Sequence, residues 1–190
     1  MYKFGGIFMT KKMNPGPLGL LGFGMTTILL NLANAGIVDL SVVVVAMGIA
    51  LGGFAQIVAG ILEFKNNNNF GGTAFTAYGF FWLSLVIIWL LPKDYPGLTA
   101  DLTSMGFYLL IWGIFTSFMF IGTLSHNTIT KFVFGGLALL FFLLAIGDFT
   151  GLRLITNIAG YVGILTGLFA MYSAVGQIVN EELGKKVFPL

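Results

Sequence analysis

Long uncharged runs separated by one or a few charges dominate the pattern of this chain. The neutral stretches are 13–38, 40–62, 66–92, 102–130, 132–147 and 154–180. A helix that crosses a bilayer needs about 20 apolar residues, within a range of ~17–25. The pattern therefore predicts six spanning helices, with approximate limits 17–37, 41–64, 73–91, 104–124, 131–147 and 154–179. The fifth is short and needs Lys131 to snorkel to the interface. Period-two alternation, which a membrane barrel requires, is absent. In lipid every backbone N–H and C=O must be satisfied within the protein, so the expected fold is an all-α membrane protein with six transmembrane helices per protomer. The expected organisation is an N-terminal tail over 1–13, one helical domain over 14–180 and a C-terminal tail over 181–190.

Composition agrees. Hydrophobic residues make up 57% and charged residues 8%, against roughly 25% charged in a soluble domain. A net charge of +2 without a Lys/Arg cluster leaves no footprint for nucleic acid. There is no cysteine and a single histidine, His126. Disulfides, iron–sulfur clusters, thiolate zinc sites and bis-histidine haem are thereby excluded, and no metal or cofactor is expected. The charges of the first 13 residues do not precede an apolar core with a cleavage site, so no signal peptide is read. With six spans both termini share one side. On that side fall Lys3, Lys11, Lys12, Lys65, Lys131, Lys185 and Lys186, whereas only Lys93 and Arg153 fall on the other. The positive-inside rule then makes both termini cytoplasmic, in a multi-pass protein of the plasma membrane.

Polar residues within spans are costly unless they face protein or a water-filled cavity. Phe23, Thr27, Asn31 and Asn34 share one face of the first span, and Gly48, Gly52, Gln56 and Gly60 recur every four residues in the second. Ser104, Tyr108, Trp112 and Thr116, with Thr123 beyond, form a stripe on the fourth. Thr166, Ser173, Gln177 and Asn180 form another on the sixth, where Asn157 and Tyr161 make a second pair. Close helix packing alone produces such stripes, since Gly48-xxx-Gly52 and Gly163-xxx-Gly167 are small-xxx-small spacings. Four polar stripes in one six-helix chain favour a polar path through the bundle.

No Lys, Arg, Asp or Glu lies at the centre of a span. A carboxylate relay for protons is therefore lacking, as is an arginine clamp for a dianion. Glu63, at the cytoplasmic end of the second span, is read either as an interfacial charge near Lys65 or as part of a pore mouth. An anion crossing here must be held by hydroxyl and amide donors and by helix N-termini. Such donors suit a small monoanion or its neutral acid. One helix start is written as Asn14-Pro15-Gly16-Pro17, with Asn14 as the expected N-cap and Pro15 as the first helical residue. The asparagine run 66–69 reads as a polar turn.

The segment Asn14-Pro15-Gly16-Pro17-Leu18-Gly19-Leu20 resembles the NPAPLGL signature of the acetate uptake transporter family, which includes bacterial succinate–acetate permeases and fungal acetate/ammonia-export proteins. Gly16 stands where alanine is usual. The resemblance continues through Gly22-Phe23-Gly24-Met25-Thr26-Thr27, Gly52-Gly53-Phe54-Ala55-Gln56, Gly60-Ile61-Leu62-Glu63-Phe64 and Phe70–Trp82. It resumes at Trp112–Thr116, Leu144–Gly147 and Asn180–Gly184, and so covers about residues 14–189. It implies a six-helix protomer that assembles as a hexamer, each protomer with its own path for acetate. It also implies a narrow point built from a Phe, a Leu and a Tyr. By motif position these are Phe23 in Gly-Phe-Gly-Met, Leu137 in Phe-Gly-Gly-Leu-Ala and Tyr78 in Ala-Tyr-Gly. Periodicity independently puts Phe23 on the face of Thr27 and Asn31, whereas it makes Tyr78 an ordinary interior aromatic.

The expected function is passage of acetate and related short-chain carboxylates, succinate included, through a pore in each protomer. Phe23, Tyr78 and Leu137 are the expected constriction; Thr27, Asn31, Gln56 and Thr73 are candidate donors along the path, and Glu63 is a candidate for the inner mouth. Passage is channel-like or proton-linked. The alternative is a channel for small neutral solutes such as ammonia, water or glycerol. Aquaporins, however, carry two Asn-Pro motifs and a filter arginine, and this chain has one motif and no arginine inside a span. No nucleophile–base pair or metal triad marks an enzyme.

Overall fold

A computed structural model describes residues 13–91 and 100–190, together with the backbone of Tyr2–Phe4 and Ile7–Met9. Lys93 and the loop around it, and Lys11 and Lys12, lie outside the described residues. Tyr2–Phe4 and Ile7–Met9 pair as a short antiparallel hairpin, with Tyr2 opposite Met9. The remaining elements are helices, and among the described residues six are long and apolar enough to cross a membrane. They are α1 (Gly16–Asn34), α2 (Val42–Lys65), α3 (Asn69–Leu90), α4 (Leu102–Ser125), α5 (Thr128–Thr150) and α6 (Arg153–Glu182).

Capping chemistry explains where these helices depart from the hydropathy limits. Asn68 accepts the backbone N–H of Gly71 at 3.0 Å, so α3 starts inside the asparagine run, leaving Asn66–Asn68 as the turn and Asn67 in the left-handed region at φ 61°. Asp101 accepts from the Ser104 N–H at 2.8 Å, which holds its carboxyl below the usual range. Asn127 accepts from the Thr130 N–H at 2.8 Å, and α5 ends at Gly151 in the left-handed conformation. The fifth helix is therefore 23 residues long and includes Lys131 in its first turn. At α1 the expectation was different from the outcome. The helix begins at Gly16 with Pro15 as its cap, and Asn14 donates instead to Gln177 Oε1 of α6 at 3.3 Å.

α1 packs most extensively on α6, α4 on α5, α5 on α6 and α2 on α3, with α2 also against α1. The helices thus follow one another around the bundle as α3, α2, α1, α6, α5, α4. Aromatic side chains close the interior between α3, α4 and α5, as Tyr78 meets Trp112, Phe115 and Phe134 at 6.1, 5.7 and 6.2 Å between ring centroids. Gly163 shows why α1 and α6 approach so closely: a Cβ there would overlap the amide group of Asn31.

Within α2, residues Gly48–Ala55 adopt the wider π-helical winding, a form that is rare and recurs at functional sites. The C-terminal tail folds back onto α6. Asn180 Oδ1 accepts from the backbone N–H groups of Val187 and Phe188 at 2.7 and 2.8 Å, and the Tyr172 hydroxyl donates to Pro189 O at 2.8 Å. An apolar groove of about 800 Å³ lies there, bordered by Ile129, Leu168, Tyr172 and Leu190. None of its lining residues is a candidate path residue.

Candidate functional site: two cavities and the collar between them

Thr27 and Asn31 fall one and two turns after Phe23 on α1, so all three look into the bundle. Two small internal cavities meet these residues. The first, of about 20 Å³, lies toward the end that carries the termini and is lined by Leu20, Phe23, Gln56, Phe75, Tyr78 and Leu137, among others. The second, of about 30 Å³, lies toward the opposite end and is lined by Phe23, Thr27, Asn31, Tyr78, Trp82 and Leu137, with Leu30, Phe81, Leu140, Phe141 and Leu144 completing its wall. Phe23, Tyr78 and Leu137 border both. They come from α1, α3 and α5, and are 6, 4 and 4% exposed. The rings of Phe23 and Tyr78 sit 6.3 Å apart, tilted by 43°. A cavity needs roughly 10–15 Å³ to hold one water, so each has room for little more than one or two waters, and neither is large enough for a carboxylic acid in this closed arrangement.

The polar groups around the cavities divide into those already partnered and those without a partner. The Tyr78 hydroxyl donates to Thr116 Oγ1 at 3.0 Å, and Thr116 passes its own proton to the Trp112 carbonyl at 2.7 Å. Asn31 donates to the Thr27 carbonyl at 2.9 Å and accepts from Asn34 at 3.0 Å. By contrast Thr27 Oγ1, both amide atoms of Gln56 and the Trp82 indole nitrogen are buried without a hydrogen-bond partner. A buried donor or acceptor left unpaired costs roughly 1–3 kcal/mol, so such atoms are rare in folded proteins. Four such atoms belong to residues that line the two adjoining cavities.

The four stripes read from the sequence therefore separate. Those on α1 and α2 reach the cavities through Thr27, Asn31 and Gln56. On α4 the stripe joins helices, with Tyr108 sharing a hydrogen bond with Ser84 at 2.7 Å and Thr116 serving Tyr78. On α6 the stripe is satisfied locally instead, since Thr166 donates to the Val162 carbonyl and Gln177 to Ser173, both within the helix, and Asn180 holds the tail. Thr73 is exposed on the first turn of α3 and lines neither cavity, because its face turns away from α1. Glu63 is buried, and Asn68 donates to its carboxylate at 2.8 Å. Its second oxygen lies near Gly16, where a Cβ would be 3.5 Å away. Glu63 thus sits beside the first turn of α1, whose dipole favours a carboxylate. Asn66 donates to the Met13 carbonyl at 2.8 Å. Asn14, Pro15 and the turn before α3 are thereby gathered at one end of the bundle, and Pro17, Leu18 and Gly19 continue the first turn of α1.

Trp82 was not among the residues singled out from the sequence. Its signal was present but silent: an indole N–H in an apolar span, four residues after Tyr78 on the same face. Only the packing reveals that the N–H lacks a partner.

The family model for the GPR1/FUN34/yaaH family matches residues 6–188. The chain belongs to this family. It is 52% identical over 183 residues to the succinate-acetate/proton symporter SatP of Escherichia coli strain K12, covering 95% of this chain and 96% of that protein. It is 36% identical over 179 residues to ammonia transport outward protein 2 of Saccharomyces cerevisiae, covering 90% of this chain and 64% of that one. The solved structure of the bacterial acetate channel SatP superposes with a TM-score of 0.92 at 51% identity, covering 95% of this chain and 99% of that one. The chain is a multi-pass protein of the plasma membrane, and the relatives named here are, by name, a symporter, an ammonia transport protein and a channel.

Proposed function

We propose that the protein passes acetate and related short monocarboxylates across the membrane through the interior of each protomer. Phe23, Tyr78 and Leu137 form the narrowest point, the end carrying the termini is cytoplasmic, and the protomers assemble as hexamers. The observation that carries this reading is the pair of cavities that meet at an apolar collar, each bordered by unpartnered donors and by no charged side chain. The names of the most similar relatives point the same way.

The collar itself has little to offer a carboxylate, because the one hydroxyl it contains is occupied by Thr116. Stripping water from an ionised carboxylate without replacing its hydrogen bonds costs far more than stripping it from the neutral acid. In this mechanism a cavity widens to take the ion, which is held by Gln56 on the inner side or by Thr27 on the outer and crosses the collar as the protonated acid. The collar opens transiently to admit it and excludes bulk water, as hydrophobic constrictions do. The proton travels on the cargo, so no ionisable relay within the spans is required. Glu63 shapes the inner mouth. Succinate, which must shed two charges at the collar, crosses more slowly than acetate.

The experiment is acetate flux into proteoliposomes of the purified protein at constant total acetate and varied pH. Flux above that of empty liposomes is expected to rise about tenfold for each unit of acidification above the carboxylate pKa range, following the neutral acid. Flux that tracks the anion instead would overturn crossing in the neutral form, and no protein-dependent flux would overturn the acetate reading. Similarity to an ammonia transport outward protein favours a second reading, in which the same collar passes neutral ammonia. Ammonia flux without acetate flux in the same vesicles would establish it.

A further inference from the structure

In the outer cavity, once it widens to admit the cargo, we infer that the Trp82 indole N–H and the Thr27 hydroxyl form a two-donor docking site for the carboxylate. This rests on the proposed passage of a monocarboxylate and assigns the group that recognises it on the far side of the collar.

Elimination supports the assignment. The cavity wall contains four residues besides Phe, Leu and the backbone that carry polar side-chain groups: Thr27, Asn31, Tyr78 and Trp82. The Tyr78 hydroxyl donates to Thr116, and Asn31 donates one amide N–H to the Thr27 carbonyl while its oxygen accepts from Asn34, which leaves that amide one further N–H to add to the site. Thr27 Oγ1 and Trp82 Nε1 remain, each buried and unpartnered, on side chains that are only 2% exposed. An indole nitrogen can donate but cannot accept. A site whose fixed polar group is a donor of this kind welcomes an acceptor-rich carboxylate and offers little to an ammonium ion, whose protons would find the indole N–H opposing them.

The indole is also held in place. Gly52, within the π-helical part of α2, lies so close that a Cβ on it would stand 2.7 Å from Trp82 Cγ. The ring has no room to swing toward α2, and Phe81 meets it edge-on at 5.8 Å. A preorganised donor binds an anion better than a mobile one, because less ordering remains to be done on binding.

The test is a tryptophan indole N–H spectrum of the intact isotope-labelled protein, titrated with acetate, chloride or ammonium at matched ionic strength. The chain has 3 tryptophans, and the Trp82 resonance is assigned by elimination with Trp89→Phe and Trp112→Phe. The expected result is a saturable downfield shift of the Trp82 resonance with acetate, over the range in which wild-type flux saturates, and no such shift with chloride or ammonium. In flux measurements Trp82→Phe, which keeps ring bulk and removes the donor, is expected to raise half-saturating acetate about tenfold, the loss of one hydrogen bond to a charged group. Its plateau flux should change by less than about twofold if the hydrogen bond serves binding and is released at the collar. A stationary Trp82 resonance in protein that transports acetate overturns this inference and leaves the proposed function standing. Absence of wild-type flux overturns the proposed function alone, and the acetate titration then still decides the binding site.

Discussion

Tyr78 serves two ends of one side chain. Its ring borders both cavities, while its hydroxyl reaches across to Thr116 on α4. The two roles separate under mutation. Tyr78→Phe keeps the ring and gives up a buried hydrogen bond worth about 1 kcal/mol. Thr116 still has the Trp112 carbonyl as its acceptor, so the loss should appear as a modest fall in thermal stability with the acetate/butyrate flux ratio unchanged. Tyr78→Ala opens the collar, and butyrate flux should rise relative to acetate by severalfold in proteoliposomes. An unaltered ratio in Tyr78→Ala would remove Tyr78 from the constriction. Much of this residue-level picture was legible beforehand, since Phe23, Tyr78 and Leu137 follow from motif positions and do meet at one place. Trp82 was not, because an unpartnered N–H is a property of surroundings and leaves no mark on spacing.

At the scale of the element, α2 is the unusual helix. Its Gly48–Ala55 segment is wound more widely than an α-helix, and its glycines bring backbone against Trp82, Leu83 and Val86 of α3. Gly52 is the decisive position, because an added methyl would stand 2.7 Å from the indole of Trp82. Gly52→Ala is expected to destabilise the fold by about 1–3 kcal/mol, the usual cost of overpacking a close contact, and to displace the Trp82 ring toward the outer cavity. The matching measurements are a lowered unfolding temperature in detergent and reduced acetate flux. Unchanged stability and flux would mean that α2 yields easily at this point. The glycine spacing was readable as a packing signal, but the π-helical winding was not. Hydropathy depends on which residues occur, whereas the winding depends on how α2 accommodates α1 and α3 together. The difference at α1 has the same origin, as Asn14 is drawn from the capping position by Gln177, a residue 163 positions away.

For the whole molecule, a single protomer leaves large apolar side chains such as Val42, Phe80, Ile111, Phe118 and Leu154 exposed, each more than half accessible. Lipid covers such faces, and so does a neighbouring subunit. Assembly as a hexamer predicts that native mass spectrometry of the detergent-released protein will give a mass six times the 20.5 kDa of the protomer; a monomer alone would overturn the hexamer and leave the path within the protomer unaffected. What the sequence by itself determined is the class of the molecule and the number and placement of its spans. Those follow from a local balance, apolar side chains per helical turn against the thickness of the bilayer, and no distant residue enters it. Caps such as Asn68, Asp101 and Asn127 then trimmed the ends by equally local hydrogen bonds. Which polar stripe faces a cavity and which one joins helices was decided only by tertiary structure. Thr27 and Thr116 have the same hydroxyl on the same kind of helix. Thr116 lies opposite Tyr78 and is satisfied, Thr27 faces an opening and is not, and that distinction arises only when α1, α3, α4 and α5 are brought together.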